Sequence, residues 1–363
     1  TRRKEEATEE KNIHVSLALA VMQRRLVSSI YAIKNTLYKR WNALQGIVDE
    51  VNKNPNIWKQ RQKLELIDVD NIDQYDDLED DEKDALDNIL SDPKKFKLFT
   101  TSKSLAEIAN EAQEVKRLYD IANHLYNQNQ EEKKYIQLKE LLKSQGVING
   151  QKLVIFTEHK DTLTYLQERL TNNGYKVSVI HGGLSVDERR AAQWEFMSPE
   201  TQILIATDAA GEGINLQFCR LLINWDIPWN PNRLEQRMGR IHRYGQKEDV
   251  LVFNLVADNT REGQVLAKLL NKLDIIRESM GDDRVYDVIQ DVLKDVSLEA
   301  IIASVFDGKE SDLDRFLAQN NQEIEKEFKC QIEAQQKAIA HSPVDYKNAR
   351  LLKEDSDEKR LQP

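Results

Sequence analysis

Five short apolar runs, each separated from the next by a helical pattern or a turn, constrain the fold of residues 152–256 more than any other feature. They are KLVIF (152–156), KVSVI (176–180), QILIAT (202–207), RLLINW (220–225) and DVLVFNLV (249–256). A strand that faces water on one side alternates apolar and polar residues. A strand covered on both faces does not need to, and runs of this kind fit a parallel sheet between two helical layers. Residues 161–170 and 186–197 carry helical periodicity, with Asn173-Gly174 and Ser198-Pro199 as stops. The alternation predicts an α/β fold with a doubly wound parallel sheet. Ligands of such sheets bind beyond the carboxyl ends of the strands. That places three loops on one rim: Thr157-Glu158-His159, His181-Gly182-Gly183 and residues 207–215.

Two stretches near that rim carry chemistry. TDAAGEGINL (207–216) leaves a buried strand and has Gly211 and Gly213 on either side of Glu212. Glycines allow positive φ and close backbone approach, and exposed N–H groups in such a turn can hold an anion or a ribose hydroxyl. The stretch NPNRLEQRMGRIHRYGQ (230–246) reads as a helix capped by Asn230, with Pro231 in its first turn and Gly245 as its stop. Its four arginines are Arg233, Arg237, Arg240 and Arg243. Arg233, Arg237 and Arg240 then share one helical face. Like charges at that spacing repel, so an anion is expected opposite, and a guanidinium fork suits phosphate. The plain alternative for Arg233 and Arg237 is a structural ion pair with Glu235 or Asp226.

The flanks are helical. Leu19, Met22, Leu26, Ile30, Ile33, Leu37 and Trp41 recur at steps of three and four within residues 13–51. One helix or two, packed on a neighbour, is the expectation. A second reading has Arg24, Arg25, Lys39 and Arg40 touching nucleic-acid phosphates. An acidic run, 68–84, contains Lys83 as its sole basic residue and reads as solvated, with autoinhibition of a basic groove as the alternative. Residues 102–144 form a second helical region, ended by Gln145-Gly146, and further helical stripes occupy 285–340. The expected domains are 1–53 (helical), 54–101 (acidic linker), 102–149 (helical brace), 150–260 (the sheet) and 261–363 (helical).

Composition excludes some classes. A net charge of −10 gives no global field for nucleic acid, so such binding needs a local basic surface. Cys219 and Cys330 are far apart and lack metal spacing, which predicts free thiols and no metal site. No apolar run reaches membrane-spanning length, so no membrane span is expected, and two free thiols suit a reducing cytoplasm. The first residues, TRRKEEATEEK, lack both a signal-peptide core and an initiator Met, which predicts a chain cut or processed from a longer one.

In order, these motifs resemble the second RecA-like lobe of superfamily two helicases, specifically the Swi/Snf type. KLVIFTEH (152–159) is similar to motif IV, ILIATDAAGEGINL (203–216) to motif V and QRMGRIHRYGQ (236–246) to motif VI. HGGLSVDERRAAQWEF (181–196) resembles the segment after motif IV. Residues 17–33 and 260–281 resemble helices that flank this lobe in bacterial members. The resemblance implies an ATP-dependent DNA translocase. Arg240 and Arg243 would be arginine fingers, with Gln236 beside them. Gly211, Glu212, Gly213 and Asp208 would face the nucleotide. Thr207, Thr157, His181 and Gly182 would contact the backbone of double-stranded DNA. ATP with Mg²⁺ is the implied cofactor, bound mainly by a first lobe. No G-x-x-x-x-G-K-[ST] string occurs in the sequence, so that lobe is expected in a longer parent or on a separate chain, and this chain alone is expected to be inactive. A non-catalytic scaffold that kept the fold and an RNA helicase fragment are the alternatives, and further protein subunits are possible partners.

Overall fold

The computed structural model describes residues 19, 21–55, 102, 104–128, 131–208, 216–228, 231–241 and 249–257. Contacts divide the chain into Thr1–Lys272 and Leu273–Pro363, and every described residue lies in the first unit. The acidic run 68–84 and the helical stripes after 261 lie outside the described residues.

After a helical segment at 21–28, the elements are α1 (Ile30–Lys53), α2 (Leu105–Asn127), α3 (Lys133–Ser144), β1 (Leu153–Phe156), α4 (Lys160–Asn172), β2 (Val177–Ile180), α5 (Val186–Met197), β3 (Ile203–Ala206), β4 (Leu221–Asn224), α6 (Pro231–Met238) and β5 (Leu251–Asn254). The five strands pair in the order β2-β3-β1-β4-β5, all parallel.

Alternate residues of each apolar run enter opposite cores. Leu153, Ile155, Ile203, Ile205, Leu221 and Ile223 face a cluster with Tyr135, Leu138 and Leu142 of α3 and Leu163, Leu166 and Leu170 of α4. Val154, Phe156, Leu204, Ala206 and Leu222 face the other side, against Phe196 of α5, Leu216, Cys219 and Ile241. Both faces are covered, which is why the strands could be apolar throughout.

Three of the expected stops act where expected. Gly146 follows α3 at φ 68, a left-handed conformation that glycine adopts without strain. Gly174 follows α4 at φ 86, and Tyr175 N–H returns to the Leu170 carbonyl at 3.1 Å. Ser185 and Glu188 form a capping box at the start of α5, and Ser198 closes that helix.

The helical pattern of residues 13–51 breaks at Ser29. That residue is extended at φ −160, and its hydroxyl caps α1 by accepting the Ala32 N–H. Residues 102–144 likewise contain two helices, α2 and α3. α2 runs back along α1, with Ile108 and Ala112 against Leu44, Ile47 and Val51, and Ala122 against Ile33 and Leu37. α3 instead joins the sheet core.

Ile155 is fully buried, so Ile155→Ala should destabilise by about 2–5 kcal/mol, read as a lower urea midpoint at unchanged m-value. Val186 is 64% exposed, and Val186→Ala should move stability by no more than about 0.5 kcal/mol.

Candidate functional site

The register fixes the rim. Ile180, Ala206, Phe156, Asn224 and Asn254 lie in one row across the sheet. The residues after them therefore emerge together, and the three loops expected on one rim do start there. The end of β4 joins them with Trp225 and Asp226.

Arg237 and Asp208 meet at this rim. The Arg237 side chain is 2% exposed and that of Asp208 is 7% exposed. The guanidinium donates from Nε to Asp208 Oδ1 at 2.5 Å and from Nη2 to Oδ2 at 2.8 Å. Its Nη1 donates to Asn224 Oδ1 at 3.1 Å and to the Asp226 carbonyl at 2.6 Å. Phe156 lies against the group, its ring centroid 5.5 Å away. Burial would lower the Arg237 pKa, but Asp208 outweighs it and holds the pKa above its usual value. Arg233 also approaches Asp208, at 3.8 Å. Arg233 and Arg237 thus form the structural ion pair weighed in the sequence, but with Asp208, 29 residues before Arg237, as the partner.

The arginine helix is shorter than its pattern suggested. α6 ends at Met238 and not near Gly245. Arg240 N–H then bonds the Arg237 carbonyl at 3.2 Å and Ile241 N–H bonds that of Met238 at 3.1 Å, both tighter i→i−3 turns. Gly239 is a poor helix former. The Arg240 carbonyl is taken by Leu216 N–H at 3.1 Å, and Ile241 is fully buried. Arg240 therefore does not share a helical face with Arg233 and Arg237. It stands in a turn held against the end of the glycine loop.

A second cluster surrounds Asp226. Its Oδ2 accepts from Thr157 Oγ1 at 2.6 Å, Ser28 Oγ at 2.8 Å and Glu158 N–H at 3.2 Å, and its Oδ1 from Lys134 Nζ at 3.3 Å. Trp225 Nε1 donates to the Ser28 carbonyl at 2.8 Å. Arg24 bonds Glu158 at 2.6 Å, Arg25 bonds Asp161, and Arg40 bonds Glu111 at 2.8 Å. These three arginine side chains are 4–5% exposed. The reading that put Arg24, Arg25 and Arg40 on nucleic-acid phosphates is thereby corrected: their charges are neutralised inside the protein. Arg24 and Arg25 clamp residues 24–29, a strap, onto the rim, and Arg40 ties α1 to α2.

The remaining candidates are distributed unevenly. Thr157 is fully buried and bonded to Asp226. Thr207 is 1% exposed, and its hydroxyl has no hydrogen-bond partner among the described residues. His181 and Gly182 are half-buried, in a loop braced by Arg189, which donates to the Gly182 carbonyl at 2.7 Å and the Leu184 carbonyl at 3.0 Å. Gln236 is exposed. Gly211, Glu212, Gly213 and Arg243 lie outside the described residues. Sequence reasoning passed over Arg189, Lys134 and Asn224. Asn224 had a visible signal, an amide inside the otherwise apolar run RLLINW.

Comparison with known proteins finds likeness over part of the chain. Residues 133–245 match the helicase conserved C-terminal domain. The chain carries a helicase C-terminal domain. Its five-stranded parallel sheet agrees with the fold class expected from the sequence. An ATP-dependent helicase, YqhH of Bacillus subtilis, is 41% identical over 158 residues, 43% of this chain and 27% of that protein. RNA polymerase-associated protein RapA of Vibrio parahaemolyticus is 32% identical over 189 residues, 51% of this chain and 18% of that one. The chain thus spans about a quarter or less of these relatives. Among solved structures, the C-terminal part of the Fun30 ATPase domain aligns at a TM-score of 0.36 and 24% identity, over 47% of this chain and 58% of that one. The Pyrococcus furiosus Hef helicase domain aligns at 0.35 and 22%, over 46% and 34%. The helicase domain begins with α3, consistent with the place of that helix in the sheet core. No described helix is long and apolar enough to cross a membrane.

His159, at the N-terminus of α4, gives this helicase domain a pH dependence. It is 4% exposed and its Nε2 has no partner among the described residues. Burial lowers its pKa from 6.5 to about 4; Glu158 and Asp226 oppose that shift, while Arg25 and Arg24 add to it. The unfolded chain takes up a proton that the folded chain excludes between those values. Stability is therefore complete above about pH 6.5 and falls toward pH 4, by no more than about 1.4 kcal/mol per pH unit from this group. His159→Gln should flatten that part of a urea-midpoint profile against pH.

Proposed function

We propose that this chain supplies the second motor lobe of an ATP-dependent DNA translocase. The observation that carries the reading is the hydrogen bond from Leu216 N–H to the Arg240 carbonyl, which joins the end of the glycine loop to the arginine turn at the carboxyl rim. In this reading Arg240 and Arg243 reach across to the γ-phosphate of ATP·Mg²⁺ held on a first lobe. They stabilise the charge that develops during hydrolysis. Gln236 lies beside them, and Gly211, Glu212 and Gly213 pass the ribose.

The β2–β3 half of the rim takes the phosphate backbone of duplex DNA. Thr207 offers its unpartnered hydroxyl, with His181 and Gly182 in the next loop. Contacts of this kind position a strand without reading its sequence. Thr157 acts inside the protein, through Asp226. The first lobe comes from a longer parent or a second chain, in keeping with the short share of YqhH and RapA that this chain spans. In this reading the motor works on DNA in the cytoplasm. The name of RapA makes RNA polymerase one protein partner to test.

With the first lobe supplied, Arg240→Ala and Arg243→Ala should each lower DNA-stimulated kcat by about 100-fold or more while DNA affinity is retained. Unchanged kcat in both variants would leave a scaffold that kept only the fold.

A further inference from the structure

The Asp208–Arg237 pair is more specific than stability requires. A buried ion pair contributes little that a packed apolar pair could not, whereas a two-pronged pair fixes orientation. Arg237 is fixed by more than two prongs. Asp208 holds it from the end of β3, while Asn224 Oδ1 and the Asp226 carbonyl hold it from the end of β4. Phe156, the last residue of β1, lies against it. One guanidinium thus references α6 to three strand ends.

Arg240 is the next point along the chain. Its N–H bonds the carbonyl of Arg237, its own carbonyl accepts from Leu216, and Ile241 after it is buried in the sheet core. The Arg240 backbone is therefore held from both sides, and one of those holds is Arg237. A group that stabilises a transition state must be placed to a fraction of an ångström, and an error of about 1 Å can cost about 100-fold in rate.

We propose that Asp208 and Arg237 are positioning residues, a latch that sets Arg240 against the glycine loop so that its side chain meets the phosphate in register. This rests on the reading of Arg240 as an arginine finger. It gives Asp208 a role different from the nucleotide contact that the motif resemblance implied. Neither latch residue touches ATP. Both act through Arg240.

The test uses the motor with its first lobe present and reads kcat, KM for ATP and DNA affinity. Arg237→Lys keeps the charge and loses the fork, and Asp208→Asn keeps the shape and loses the charge. Each should lower kcat by about 10-fold or more, with KM and DNA affinity changed by less than about threefold. The deciding readout is the double variant. Asp208→Asn added to Arg240→Ala should lower kcat no further, because the latch has no finger left to place. A variant is read only where its urea midpoint shows it folded. Asn224→Ala, which removes a single prong, serves if both charge variants unfold, and should lower kcat severalfold. Losses that multiply in the double variant, or kcat within about twofold of the parent in the folded latch variants, overturn the latch. If Arg240→Ala itself leaves kcat unchanged, the finger reading fails and the latch with it. A loss in Arg240→Ala alone means that only the latch is wrong.

Discussion

Asp226 is a charged group with almost no water around it. Burial pushes its pKa up, but Lys134, His159 and the hydroxyls of Thr157 and Ser28 more than offset this and hold it below the usual carboxylate value. Segments distant in sequence meet on this one residue. Ser28 brings the N-terminal strap, Lys134 brings α3, Thr157 and Glu158 bring the end of β1, and Arg237 reaches the Asp226 carbonyl from α6. A dehydrated carboxylate must be satisfied by specific donors, so the geometry of each segment is specified along with it.

The cluster also divides the rim. The strap covers the ends of β1 and β4, where Arg24, Arg25, Ser28 and Ser29 bond Glu158, Asp161, Thr162 and Asp226. At the ends of β2 and β3, His181 and Gly182 are half-buried, and the Thr207 hydroxyl has no hydrogen-bond partner among the described residues. The two halves of one sheet edge thus have separate chemistry. Asp208 sits between them, at the end of β3 and tied to α6.

Strands and their stops were legible because they depend on local pattern. Burial on both faces shows as an unbroken apolar run, and a left-handed helix end shows as Gly146 or Gly174. The likeness to a helicase C-terminal domain was legible because three motifs fall in order within residues 152–246. The ionic partners were not, because partner choice is a tertiary matter. Arg24 and Arg25 look solvent-facing along a helix, and only the folded rim brings Glu158 and Asp161 to them. The arginine helix was overextended for the same reason. Its periodicity continues past Met238, but Leu216, far off in the pattern, captures the Arg240 carbonyl at that point. The break at Ser29 was visible only as a preference, since a serine within a helical stripe serves equally as an interior residue.

The central claim is that this chain completes an ATP site it does not itself hold. The most direct measurement is steady-state ATP hydrolysis by the purified chain alone, with saturating duplex DNA and Mg²⁺. The account predicts no DNA-stimulated turnover, since the sequence contains no G-x-x-x-x-G-K-[ST] string, and turnover once a first lobe is added. DNA-stimulated hydrolysis by the chain alone that disappears in the Arg240→Ala, Arg243→Ala double variant would contradict it and place a complete site within these residues.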